Sequence, residues 1–150
     1  MSRLSSVLLV LVVGLVVPAF AQGQDESQLW SGKVGLMVPM SGDVGIALGL
    51  ERQLAEGPTS RTAVELDYLH PGDAVAWYLL YNARYHVNSG GYWGWGAGLN
   101  TTNAHGLTDT FPGVRLFYGQ NWGRTFGEVG GISGMRDHNT GVLLSLGANF

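Results

Sequence analysis

Trp77-Tyr78-Leu79-Leu80-Tyr81-Asn82-Ala83-Arg84-Tyr85-His86 is the stretch on which the fold turns. Read as an extended chain, it places Trp77, Leu79, Tyr81, Ala83 and Tyr85 on one face, continued by Val87. Tyr78, Leu80, Asn82, Arg84 and His86 fall on the other, because successive strand side chains point to opposite sides. One face is apolar and aromatic; the other mixes polar, charged and apolar groups. The period is two, not 3.6, so the segment is a strand with two different surroundings.

The same alternation recurs on both sides. Residues 61–69 put Val64, Leu66 and Tyr68 opposite Ala63, Glu65 and Asp67. Residues 44–54 put Val44, Ile46, Leu48 and Leu50 opposite Gly45, Ala47, Gly49 and Glu51. The C-terminal segment 140–150 puts Val142, Leu144, Leu146, Ala148 and Phe150 opposite Gly141, Leu143, Ser145, Gly147 and Asn149. With 29–38, 75–86, 91–100, 111–119 and 124–133 this makes eight segments, separated by Gly, Pro, Asn and Asp. Each is close to the ~9–11 residues with which a tilted strand crosses a bilayer. Segment 124–133 fits worst: Glu128 stands among Phe126, Gly130 and Ile132, which suggests a bulge or another register.

At 150 residues the chain holds one domain. It contains no cysteine, which excludes disulfides, thiolate metal sites, Cys nucleophiles and a lipid-anchoring cysteine. A formal net charge of -3 gives no electrostatic footprint for nucleic acid. Charged residues make up only 13%, where a soluble domain carries about a quarter, so much of the surface is expected to face something other than water. The first residues supply a route to such a place. Arg3, an apolar run from Val7 to Val17 broken only by Gly14, then Pro18 and Ala19-Phe20-Ala21, follow the charged, apolar and small-residue order of a secretory signal peptide. The run is too short for a membrane-spanning helix, which needs about 20 residues. Residues 1–21 are therefore expected to be cleaved, 22–28 to form a disordered N-terminus, and 29–150 to form the barrel.

Alternation alone does not say which face meets water, since soluble and membrane barrels both alternate. Three features favour the membrane. The polar face is rich in glycine and carries Lys33, Glu51, Glu65, Asp67, Arg84 and Arg115 inside strands, where they are expected to pair in a narrow lumen. The aromatic residues gather near the strand ends. If the chain starts in the periplasm, Trp30, Tyr85, Trp93, Trp122, Phe126 and Phe150 form one girdle, and Tyr68, Trp77 and Phe111 form the other. Finally, the chain ends on an alternating strand with Phe150 last. Closure is required as well, because an open sheet edge cannot sit in hydrocarbon.

The leader, the eight segments, and in particular Val44-Gly45-Ile46-Ala47-Leu48-Gly49-Leu50-Glu51, Ala63-Val64-Glu65-Leu66-Asp67-Tyr68 and the C-terminal strand resemble the small bacterial outer-membrane barrels of the OmpA/OmpX and opacity-protein type. The resemblance runs from Trp30 to Phe150 and implies an all-β fold, an eight-stranded antiparallel up-and-down transmembrane β-barrel. It implies turns near 55–60, 87–91 and 120–123 on the periplasmic side, with outer loops at 39–43, 70–74, 101–110 and 134–139. It also implies outer-membrane lipids and lipopolysaccharide as surroundings, and barrel-assembly machinery that reads the strand ending at Phe150.

Several site readings compete. The lumen charges form either a gated, porin-like ion path or a static plug that fixes register; the plug is favoured, because eight strands leave little open space. Glu128, Ser133 and His138 occur in chain order as a possible hydrolytic set, but no His-x-Ser stands on one strand face and no Asp-Ser pair lies in an outer loop, as lipid A enzymes of this size would require. His70, His86, His105 and His138 show no metal-ligand spacing. Gly94-Trp95-Gly96-Ala97-Gly98 is followed by no Lys-Ser/Thr and no helix, so it reads as a strand with Trp93, Trp95, Ala97 and Leu99 on its apolar face rather than as a phosphate loop. Asn100-Thr101-Thr102 matches a glycosylation acceptor but reads as a bacterial surface loop. The sequence thus points to an outer-membrane barrel with a structural or surface-contact role, without catalysis, cofactor or metal. A soluble periplasmic lipocalin-like barrel and a lipid A-modifying enzyme are the alternatives.

Overall fold

The computed structural model describes residues 30–40, 42–71, 74–104, 106–134 and 140–150. The expected signal peptide 1–21 and N-terminus 22–28 lie outside these, as do His105 and His138. Eight strands run in chain order: β1 Trp30–Pro39, β2 Gly45–Glu56, β3 Ser60–His70, β4 Val75–His86, β5 Gly91–Ala104, β6 Leu107–Trp122, β7 Thr125–Ser133 and β8 Gly141–Asn149. Each pairs antiparallel with its neighbour, and β8 pairs with β1 to close the barrel. Closure leaves no free edge, so every strand has hydrogen-bonding partners on both sides.

Three connections at one end are tight: 57–59, 87–90 with its short 3₁₀ turn, and 123–124. We call this the turn end and the opposite one the loop end. Between β6 and β7, Gly123 takes φ 69°, which lets a two-residue hairpin follow the twist of the sheet.

Two expectations need correction. The stretch 101–110 is not an outer loop: β5 and β6 continue to Ala104 and Leu107, and Asn100 lies buried within β5. The polar side chains there satisfy one another across the hairpin, Thr101 with Thr110 at 3.1 Å and Asn103 with Thr108 at 3.1 Å. Nor is β7 bulged. It pairs in unbroken register with both β6 and β8. The register shift is in β2, between Gln53 and Ala55 opposite Ala63 and Thr62.

The two faces of the wall differ sharply. Large apolar side chains are exposed on the outside of every strand, among them Leu36, Leu50, Leu66, Leu79, Trp95, Leu116, Val129 and Leu146. Lys33, Glu51, Glu65, Asp67, Arg84, Arg115 and Glu128 are buried inside. Among the described residues, no charged side chain faces outward between the two rims. Arg52 stands at the turn-end rim, its guanidinium 5.5 Å from the centre of the Trp30 ring.

Candidate functional site

The lumen is organised in two layers. The layer at the loop end is apolar: Met37, Ala47, Leu69, Ala76, Tyr78, Leu80, Ile132 and Leu143 form one buried cluster. These residues come from β1, β2, β3, β4, β7 and β8, so the cluster reaches across the interior rather than lining one wall.

The other layer is ionic. It contains four cations, Lys33, Arg61, Arg84 and Arg115, and four carboxylates, Glu51, Glu65, Asp67 and Glu128. Glu128 accepts from Arg84 Nη2 at 2.9 Å and from Arg115 Nη2 at 2.6 Å, and lies 3.6 Å from Lys33 Nζ. The Tyr92 hydroxyl donates to it at 2.9 Å. Glu65 pairs with Lys33, accepts from Arg115 at 2.9 Å on both oxygens, and accepts from the Asn82 amide. Asp67 stands 3.4 Å from Lys33 and 3.7 Å from Arg115. Toward the turn end, Arg84 donates to Glu51 at 2.5 Å, while Arg61 stands 3.6 Å from Glu51 and donates to the Ser31 hydroxyl at 3.3 Å. Equal numbers of opposite charges leave the layer formally neutral. That balance matters, because a buried charge without a partner is strongly destabilising.

Aromatic rings complete this layer. The Arg84 guanidinium carbon lies 5.3 Å from the Tyr92 ring centre, 5.6 Å from that of Phe117 and 5.9 Å from that of Phe126. Arg115 stands 4.5 Å from Phe117. Each distance is within cation–π range. Glycines make room for these long side chains. A Cβ on Gly49 would strike the Lys33 stem and the Asp67 carboxylate, and one on Gly119 would strike the Tyr92 ring.

The six charged residues singled out from the sequence, Lys33, Glu51, Glu65, Asp67, Arg84 and Arg115, are all in this network. Two further members are Glu128 and Arg61. Arg61 shares its strand face with Ala63, Glu65 and Asp67, so strict alternation could have placed it. Of the proposed girdle, Trp30, Tyr85, Trp93, Trp122 and Phe150 are exposed at the turn end, with Tyr85 and Trp93 stacked at 4.6 Å. Tyr68 and Trp77 meet edge to face at 4.8 Å near the loop end. Phe126 does not belong to the girdle: it is 3% exposed and faces the lumen. Phe111 is also misplaced there, since it pairs with the fully buried Asn100 and shares its inward face. Height along the barrel alone suits both residues to a girdle, whereas strand parity decides the face.

Of the hydrolytic set, His138 lies outside the described residues, and Glu128 and Ser133 are not brought together. Glu128 points into the lumen, whereas Ser133, five residues later, lies on the opposite face of β7 and pairs with the Thr140 hydroxyl at 3.0 Å. Comparison with family models, with curated proteins and with solved structures finds no match.

Proposed function

We propose that this chain is an integral barrel of a bacterial outer membrane, of the OmpA/OmpX and opacity-protein type, with a sealed lumen and a structural or surface-contact role. One observation carries the reading: the wall is apolar outside, and the charges carried by its strands between the rims are buried inside. A soluble lipocalin-like barrel needs the reverse, an apolar interior for its ligand and a polar exterior for water. In water the exposed apolar belt would be a large aggregation liability. In lipid it is the favourable solvent-facing surface.

Dimensions support the same reading. β8 has nine residues, about 30 Å of strand at roughly 3.3 Å per residue. A tilt of about 40° reduces this to roughly 23 Å, near the ~25 Å apolar band of membrane barrels. The turn-end aromatics then sit at one interface and the Tyr68–Trp77 pair near the other. The terminal strand reaches closure: Phe150 N donates to Trp30 O at 2.9 Å, and Trp30 N donates back at 3.3 Å. Assembly machinery that recognises a terminal aromatic strand would read this segment. The two lumen layers support a plug rather than a pore.

Cell fractionation and gel migration test the reading. The folded protein should partition with the outer membrane and migrate differently before and after boiling. A soluble periplasmic pool with no heat-dependent shift would contradict it. Large, steady conductance in a planar bilayer would contradict the sealed lumen.

A further inference from the structure

The apolar wall is not uniform. On most strands its outward residues are bulky, but on β7 they include Gly127 and Gly131 on either side of Val129. Two open grooves result. One, of about 630 Å³, runs past Val34, Leu36, Tyr118, Gly127, Val129 and Leu146 in the turn-end half. The other, of about 710 Å³, surrounds Gly131 in the loop-end half. The two follow one another along β7, one in each half of the wall.

We propose that the turn-end groove holds an acyl chain of an anionic phospholipid, with its phosphate at Arg124; this rests on the membrane reading above. Arg124 is exposed in the β6–β7 turn, three residues before Gly127, or about 10 Å of extended chain. Trp122 precedes that turn, and its indole lies against Gly127: two ring atoms stand 3.0 and 3.1 Å from where a Cβ would be. The turn next to the groove thus carries a cation, Trp122 sets an interfacial indole against Gly127, and the groove itself offers apolar walls. That is the chemistry of a phospholipid lying upright in one leaflet. Among the described residues, the loop-end groove has no such complement. The charged residues described near that end and outside the ionic layer are Asp43 and Asp109. A second copy of the chain fits less well, because a two-fold contact would set groove against groove and leave the hollow unfilled. In lipid, association depends on close packing rather than on a hydrophobic driving force.

The test uses the full folded barrel in phosphatidylcholine vesicles, with spin-labelled phosphatidylglycerol or phosphatidylcholine as probe. The motionally restricted lipid should favour phosphatidylglycerol by about three- to five-fold. Arg124→Gln should bring the ratio near one. Val129→Phe, which fills the groove from an outward position, should reduce the restricted phosphatidylglycerol by at least half. Gly131→Leu in the other groove should leave the ratio unchanged, and all variants should keep heat-modifiable migration. A wild-type ratio near one, or a preference that survives both Arg124→Gln and Val129→Phe, overturns the proposal while leaving the barrel a membrane protein. A dimer in micelles that Val129→Phe dissociates would assign the groove to a second copy and likewise overturn it. No restricted component with either probe would remove the membrane reading itself.

Discussion

The two halves of the lumen solve the same problem by different means. The loop-end half is filled by Met37, Leu69, Tyr78, Leu80, Ile132 and Leu143, whose contacts are short-ranged and individually weak. The other half is filled by eight charges whose partners come from six strands. Apolar packing tolerates small adjustments and exchanges of shape. An ionic layer does not, since a one-residue slip would move each charge from the lumen to the outer wall. The apolar half therefore supplies packing, and the ionic half ties strand register to charge balance. A buried ion pair is weak as a source of net stability but costly to break. Perturbing the two layers should accordingly give different signatures.

The largest effect is expected at Glu128. Glu128→Ala leaves Lys33, Arg84 and Arg115 short of a shared carboxylate and should destabilise the barrel by about 3–5 kcal/mol, the range for breaking a buried pair. Urea unfolding in vesicles would measure it, and a loss below about 1 kcal/mol would remove the distinction between the halves. Leu80→Ala in the apolar half should cost roughly 3 kcal/mol. Its planar-bilayer trace should stay flat, because the ionic layer still fills the lumen. Sustained conductance from that one truncation would show that the apolar half alone seals the barrel.

The outer wall gives a third point of comparison. Leu144 faces outward at mid-height, paired with Leu36 and Val129. Leu144→Arg should cost about 2–4 kcal/mol in a bilayer, as a cation at the midplane does. The same change on a water-facing wall should be close to neutral. The smallest effect is expected at the rim, where Arg52→Ala removes an exposed cation–π contact with Trp30 worth about 0.5–1 kcal/mol. A loss there above about 5 kcal/mol would mean that the rim contributes more to closure than either lumen layer.

Where both faces carry distinctive side chains, the chain can be read directly. In β4, Trp77, Leu79 and Tyr81 alternate with Tyr78, Leu80 and Asn82, and the observed faces follow that order. In β7 the outward positions 127 and 131 are glycine. The apolar half of the alternation is then missing, so Glu128 looked out of place although it is the hub of the network. Phe126 is ambiguous for a related reason, since an aromatic near a strand end suits either a girdle or a lumen cage. The β5–β6 extension was hidden because Thr and Asn at 100–103 resemble loop composition. Only the cross-strand pairs with Thr108 and Thr110 make a ladder of them. Which cation meets which carboxylate was not legible at all, because it depends on the relative stagger of strands distant in sequence.

The central claim is that the outer wall meets acyl chains, and Trp95 reports on it most directly. It lies outward at mid-height, 39% exposed and paired with Ala83 and Leu116. With Trp30, Trp77, Trp93 and Trp122 replaced by Phe, the fluorescence of Trp95 should be strongly quenched by lipids brominated deep in their acyl chains. Aqueous iodide should leave it nearly unaffected. Strong iodide quenching with no response to the brominated lipids would show that water covers this wall, and would contradict the account.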